Sequence, residues 1–232
     1  MAKSNNILVV AAHPDDELLG CGGTLARHCN DGDKVETLIL AEGVTSRDDE
    51  REKEQHRSEL TDLHKAAYRA AEIIGAALPE FGGLPDNRMD QLDLLDVVKL
   101  IEKAISRHAP TIIYTHHGGD LNIDHRITHQ AVMTACRPLP NSIIEAIYCF
   151  ETPSSTEWAD ASQPEFKPNH FVEITATLDV KLSALEAYNT EMRPFPHPRS
   201  PEAIAALAKW RGASCGVVAA EAFSVAQRII RQ

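Results

Sequence analysis

Ile7-Leu8-Val9-Val10-Ala11-Ala12 is an unbroken apolar run that stops at His13-Pro14-Asp15-Asp16-Glu17, the pattern of a buried strand whose end meets polar chemistry. From Glu17 to Cys29 the apolar residues Leu18, Leu19, Leu25 and Ala26 fall at the spacing of a helix packed on a sheet. Asp31-Gly32-Asp33 then turns the chain into a second strand, Lys34 to Leu40. The polar stretch 42–49 reads as a loop, and 49–77, charged at first and alanine-rich later, as an exposed helix. A short strand and turn over 79–87 lead to a helix from Leu92 to His108, with apolar residues at Leu95, Val98, Ile101 and Ile105, and then to a third strand over 111–115. A strand at 143–150, a Pro/Ser-rich loop at 152–168 and a strand at 170–174 follow. Two helical stretches, at about 178–190 and 201–211, are expected to close the domain.

Strands alternating with helices of these lengths predict βαβ units. The expectation is one α/β domain over 1–232, a Rossmann-like three-layer sandwich with a mostly parallel sheet covered on both faces. No GxGxxG follows the first strand, so dinucleotide binding has no support. Gly20, Gly22 and Gly23 lower helix propensity and imply a close backbone approach, either to a ligand or to the sheet.

Composition narrows the partners. With 34 acidic against 23 basic residues the net charge is -11, which disfavours nucleic acid and anionic membrane surfaces. No apolar stretch reaches the length of a signal peptide or a membrane span, so a soluble, cytoplasmic protein is expected. Cys21, Cys29, Cys136, Cys149 and Cys215 form an odd, scattered set without a CxxC pair, unlike a disulfide scaffold or a thiolate zinc site. Cys21 lies near the polar cluster but reads as a small packing residue and is given no role.

Two clusters carry the chemistry. His13-Pro14-Asp15-Asp16-Glu17 follows the first strand, and His116-His117-Gly118-Gly119-Asp120-Leu121-Asn122-Ile123-Asp124-His125-Arg126-Ile127-Thr128-His129 follows the third. Parallel strands share one carboxyl edge, where open α/β sheets place their ligands, so the clusters can meet although about a hundred positions separate them. His125 and His129, four apart on an expected helix, share a face, and either could ligate a metal. Two imidazoles and a carboxylate with an open position are the ligand set of a catalytic metal, where a structural zinc would close all four positions. Asp16, three residues after His13, can reach the same ion. Asp15 is then free to take a proton from water. Helix capping would explain one of these carboxylates, but neither His13 nor the second cluster.

Ala12-His13-Pro14-Asp15-Asp16-Glu17 resembles the AHPDDE signature of the LmbE-like, or PIG-L, family of zinc-dependent N-acetylglucosaminyl deacetylases, and Asp124-His125 resembles the DH of its second motif. The resemblance implies that His13, Asp16 and His125 bind one Zn2+ per chain, with other divalent metals as alternatives, and that Asp15 is the general base. Many members read HPDH in the second motif, the leading histidine helping to stabilise the oxyanion, whereas this chain has Asn122-Ile123-Asp124-His125. The Asn122 amide, or His116, His117 or His197, is a candidate for that task. Arg47 resembles the family's substrate-binding arginine, and the proline-stiffened segment 193–200 could present His197 and Arg199 to the pocket. Arg47, Asn122, Asp124 and His197 are thus the expected substrate-side residues. The activity implied is hydrolysis of an N-acetyl or similar small acyl amide on an amino sugar or its conjugate. A phosphoesterase, a thiol-conjugate amidase, or a non-catalytic sugar- or nucleotide-binding module remains as an alternative. A homo-oligomer is expected by analogy alone.

Overall fold

The computed structural model describes residues 4–45 and 56–230. The helices are α1 (Asp16–Asn30), α2 (Arg57–Ile74), α3 (Leu94–His108), α4 (Ile123–Ala135), α5 (Leu178–Leu185) and α6 (Pro201–Cys215). The strands are β1 (Asn6–Ala11), β2 (Lys34–Ala41), β3 (Glu80–Leu84), β4 (Ile112–His116), β5 (Ala146–Phe150), β6 (His170–Glu173) and β7 (Ala220–Arg228). They form one seven-stranded sheet in the order β3-β2-β1-β4-β5-β7-β6. Every pairing from β3 to β5 is parallel, and β7 runs antiparallel to both β5 and β6.

The unbroken apolar run of β1 is explained by its position at the centre of this sheet. Ile7 and Val9 pack on one face with α1, α2 and α5, while Leu8 and Val10 pack on the other with α3 and α4. Burial on both faces demands apolar residues at both parities, which gives the three layers expected. Gly20 is explained by the same packing: a Cβ there would lie 2.2 Å from the ring of Phe150 on β5, so α1 uses the glycine to close onto the sheet.

One expectation needs correction. The helical stretches do not close the domain, because β7 follows them and inserts between β5 and β6. Its sequence, Ala-Glu-Ala-Phe-Ser-Val-Ala-Gln-Arg, is rich in alanine and gives little strand signal. Its acidic member Glu221 is buried because Lys181 of α5 pairs with it at 2.6 Å and the amides of Gly23 and Thr24 donate to it. Within the described residues the second helix starts at Arg57, and its expected first turns over 49–55 lie outside them. Among the described residues no helix is long and apolar enough to cross a membrane.

Candidate active site

Strand order reverses at β1, which continues to β2 on one side and pairs with β4 on the other. Crevices for ligands open at such points, beyond the carboxyl ends of the strands. β1 and β4 run in register, Val10 beside Thr115, so the two polar clusters emerge side by side.

Three donors converge there. His13 Nδ1 is 3.2 Å from Asp16 Oδ2 and 3.3 Å from His125 Nε2, and His125 Nε2 is 3.2 Å from the same Asp16 oxygen. Donors about 2.0–2.1 Å from a tetrahedral zinc ion are about 3.3 Å from one another, so the three separations fit such an ion. The remote nitrogen of each imidazole faces buried carboxylate: Asp124 Oδ2 lies 3.1 Å and Asp86 Oδ1 3.3 Å from His13 Nε2, and Asp120 Oδ1 lies 3.1 Å from His125 Nδ1. A carboxylate behind a ligating histidine fixes the ring and raises its basicity. Asp15, Asp16, Glu17, Asp86, Asp120 and Asp124 are all buried within this small region, and so much buried negative charge calls for a cation. Residues and geometry therefore make His13, Asp16 and His125 a candidate metal-binding site.

The electrostatics follow from this crowding. Burial works to raise the Asp120 carboxyl, yet His125 together with hydrogen bonds from the Ser155 and Thr156 hydroxyls holds it at about 2. Burial likewise opposes ionisation of Asp16, but the charge of His125 and the side-chain hydrogen bonds of His125 and His13 hold its carboxyl well below the usual range. Burial pushes the Asp15 carboxyl well up, and Arg199 offsets only part of that rise. Arg199 Nη1 donates to Asp15 Oδ2 at 3.0 Å, and its Nε donates to Ser154 Oγ at 2.8 Å. Asp15 itself has φ 105° and ψ -28°, a left-handed conformation that a residue with a side chain holds only when its surroundings impose it.

A cavity of about 230 Å³ lies over the three donors, walled by His13, Asp15, Asp16, Asp86, Asn87, Asn122, His125, Thr152, Ser154, Ser155, Glu191, Arg193 and Arg199 among others. Asn122 is in this wall. Its Oδ1 caps α4 by accepting the Asp124 N–H at 2.8 Å, which turns Nδ2 outward to donate to Asn87 Oδ1 at 2.8 Å.

Other expected residues are placed differently. Asp124 is not in the wall: both its oxygens are taken, one by the amide of Met89 and the other by the amide of Asn87 and by His13. It stands behind a candidate ligand, away from the substrate side. His197 is also outside the wall, because its Nδ1 accepts the Arg199 N–H at 3.1 Å and its ring lies edge-on to Trp158. Its neighbour Arg199 reaches the cavity instead. Arg47 lies outside the described residues. His129 donates to the His116 carbonyl and His117 to the Pro164 carbonyl, so neither joins the donors. His116 is buried behind them, stacked 3.9 Å from His125, accepting the Ala12 N–H on Nε2 and facing Thr152 Oγ1 with Nδ1. That pattern requires the neutral ring, and burial keeps it so.

Sequence reasoning missed Asp120 and Asp86. A Gly-Gly-Asp and a Pro-Asp-Asn both read as turn chemistry, and the only signal was the general need of a ligating histidine for a carboxylate behind it.

Residues 8–136 match the family PIG-L: GlcNAc-PI de-N-acetylase. The uncharacterized deacetylase YaiS of Escherichia coli (strain K12) is 30% identical over 194 residues, covering 81% of this chain and 92% of YaiS. Among solved structures, N,N'-diacetylchitobiose deacetylase from Pyrococcus horikoshii superposes with a TM-score of 0.76 at 20% identity, over 97% of this chain and 85% of that one. GalB, the 4-carboxy-2-hydroxymuconate hydratase from Pseudomonas putida KT2440, superposes with a TM-score of 0.74 at 24% identity, over 97% and 98%. The fold is thus shared by deacetylases and by a hydratase, and the match over residues 8–136 takes in every candidate ligand. This chain belongs to the PIG-L family of deacetylases.

Proposed function

We propose that the protein is a zinc-dependent N-deacetylase that removes an acetyl or similar small acyl group from the nitrogen of an amino sugar or its conjugate. The observation that carries this reading is the convergence of His13 Nδ1, Asp16 Oδ2 and His125 Nε2 beside a fourth group, Asp15, that faces the same cavity. His13, Asp16 and His125 would hold the ion. Zinc bound there supplies Lewis acidity, which polarises an acyl carbonyl and makes water easier to deprotonate.

The remaining work falls to side chains. Asp15, whose carboxyl is pushed up by burial, takes a proton from water and so acts as general base. Attack on the acyl carbon places negative charge on its oxygen. Asn122, a residue of the wall, is assigned to stabilise that charge, since its Oδ1 is committed to the helix cap and its Nδ2, which gives one hydrogen to Asn87 Oδ1, carries a second to donate. The protonated Asp15 then returns the proton to the departing amine, leaving a free amino sugar and acetate. A wall rich in hydroxyl, amide and charged groups suits a sugar's hydroxyls better than an apolar ligand.

The test follows acetate and free amine released from N-acetylglucosamine and diacetylchitobiose by zinc-loaded protein. Asp15→Asn is expected to lower kcat about 10²–10⁴-fold, the usual contribution of a general base, while one zinc per chain is retained. Wild-type protein that holds zinc yet releases no acetate from either sugar would overturn the reading.

A further inference from the structure

Asp15 is held from the first turn of its own helix and, through that turn, from a distant part of the chain. Its backbone is left-handed, and its carbonyl is already committed to α1, accepting the N–H groups of Leu18 and Leu19 at 3.0 and 2.9 Å. Its N–H is taken by a side chain two residues on: Glu17 folds back so that Oε2 accepts it at 3.1 Å. Glu17 is in turn fixed from far away in sequence, for its Oε1 accepts the hydroxyl of Tyr188 at 2.7 Å. Tyr188 lies in the single helical turn Glu186–Tyr188 that continues α5, and it is fully buried in the core between α1, α2 and the sheet. Neither residue is in the cavity wall, and neither is among the converging metal donors.

An acidic residue in the first turn of a helix has an ordinary explanation in the helix dipole. That explanation requires neither a buried hydroxyl aimed at the carboxylate nor a carboxylate that reaches back to the one strained residue of the turn. We infer that Glu17 and Tyr188 form a positioning pair for Asp15: Tyr188 holds the Glu17 carboxylate, and Glu17 holds the Asp15 peptide in the left-handed conformation that turns its side chain toward the cavity. The inference rests on the deacetylase reading only in taking Asp15 as the base. The two contacts themselves are independent of it.

The hydrogen bonds distinguish the substitutions. In Glu17→Gln the amide oxygen can still accept the Asp15 N–H while its NH2 donates to the Tyr188 hydroxyl, so the geometry survives without the charge. Glu17→Ala removes both contacts, and Tyr188→Phe frees the far end of Glu17 and leaves a buried carboxylate oxygen without its partner.

The experiment uses the zinc-loaded full chain and three readouts: kcat and KM for acetate release, zinc affinity by competition with a chelator, and the backbone amide resonance of Asp15 in 15N-labelled protein. Misplacing a reacting group by about 1 Å costs on the order of 10²-fold. Glu17→Ala is therefore expected to lower kcat ~100-fold and Tyr188→Phe ~10-fold, with KM and zinc affinity each within about threefold of wild type and Glu17→Gln close to wild type in all three. The Asp15 amide resonance should move in the alanine and phenylalanine variants and hold in the glutamine variant. An unmoved resonance, an unchanged kcat in Glu17→Ala, or zinc affinity falling in step with kcat would each overturn the inference. Should Glu17→Ala fail to fold, Tyr188→Phe against Glu17→Gln carries the same comparison. If wild type releases no acetate, the proposed function fails, and the Asp15 resonance alone still decides the positioning role.

Discussion

The parallel part of the sheet and its antiparallel flank give different things to one cavity. From residues 8–136 come the three converging donors and the carboxylates Asp86, Asp120 and Asp124 behind them. From the segments after β5 come Thr152, Ser154, Ser155, Glu191, Arg193 and Arg199, which wall the cavity, and none of these belongs to the donor set. The first group is mounted at the ends of two central strands and their helices, where core packing fixes each backbone. The second is carried on connecting segments, where a change of residue alters the wall without disturbing the three donors. Ion affinity and substrate handling should therefore be separable by mutation.

The largest effect belongs to the donors. Under the proposed function, loss of the ion would forfeit several kcal/mol of transition-state stabilisation, and at about 1.4 kcal/mol per decade that is at least ~10³-fold in kcat. His125→Ala and His13→Ala are each expected to abolish measurable activity and to drop zinc content below one per chain, read by metal analysis after gel filtration, with circular dichroism confirming the fold. Equal loss of zinc from a substitution at Arg193 or Glu191 would break the division between the two regions.

The carboxylates behind the histidines come next. Asp120→Asn and Asp124→Asn leave the ligands in place but weaken their orientation, which typically costs 10–100-fold in metal affinity. Asp124→Asn carries a second penalty, because an amide cannot accept on both sides from the N–H groups of Asn87 and Met89 as the carboxylate does. A chelator competition that leaves both variants at wild-type affinity would place these carboxylates in folding alone.

What could be read from the sequence follows the same division. The strand ends were legible because histidine and paired carboxylates are the wrong residues for a core strand to run into, so His13, Asp16 and His125 stood out. The central strands were legible because burial on both faces forces unbroken apolar runs. Asp120 and Asp86 were not legible, since in a Gly-Gly-Asp or a Pro-Asp-Asn the local demand for a turn accounts for the residue completely. Asp124 was legible as polar chemistry but was given the wrong side of His13, because a helix's first turn does not show which way a carboxylate faces. β7 was hidden by its alanines and by partners, β5 and β6, that lie far back along the chain. The segment 193–200 offered two candidates, His197 and Arg199, and only tertiary contact with Asp15, 184 positions away, selects Arg199.

Arg199 gives the smallest and most discriminating test, because it reaches from the flank to hydrogen-bond the carboxylate of the proposed base. Its guanidinium uses Nη1 on Asp15 Oδ2 and Nε on Ser154 Oγ, with Glu191 Oε2 3.9 Å from Nη1. A lysine ammonium is a point charge on a flexible stem and cannot reproduce both directions at once. A hydrogen bond to a charged group contributes about 1.5–3 kcal/mol when buried, and this side chain is 31% exposed, so the lower end applies. Arg199→Ala is expected to reduce kcat/KM ~10-fold with zinc affinity unchanged, and Arg199→Lys to recover only part of the loss. Full recovery by lysine would mean that charge alone matters and that the fork to Ser154 is incidental. A fall in zinc affinity in either variant would mean that the flank reaches the ion through Asp15, and the two regions would then be one.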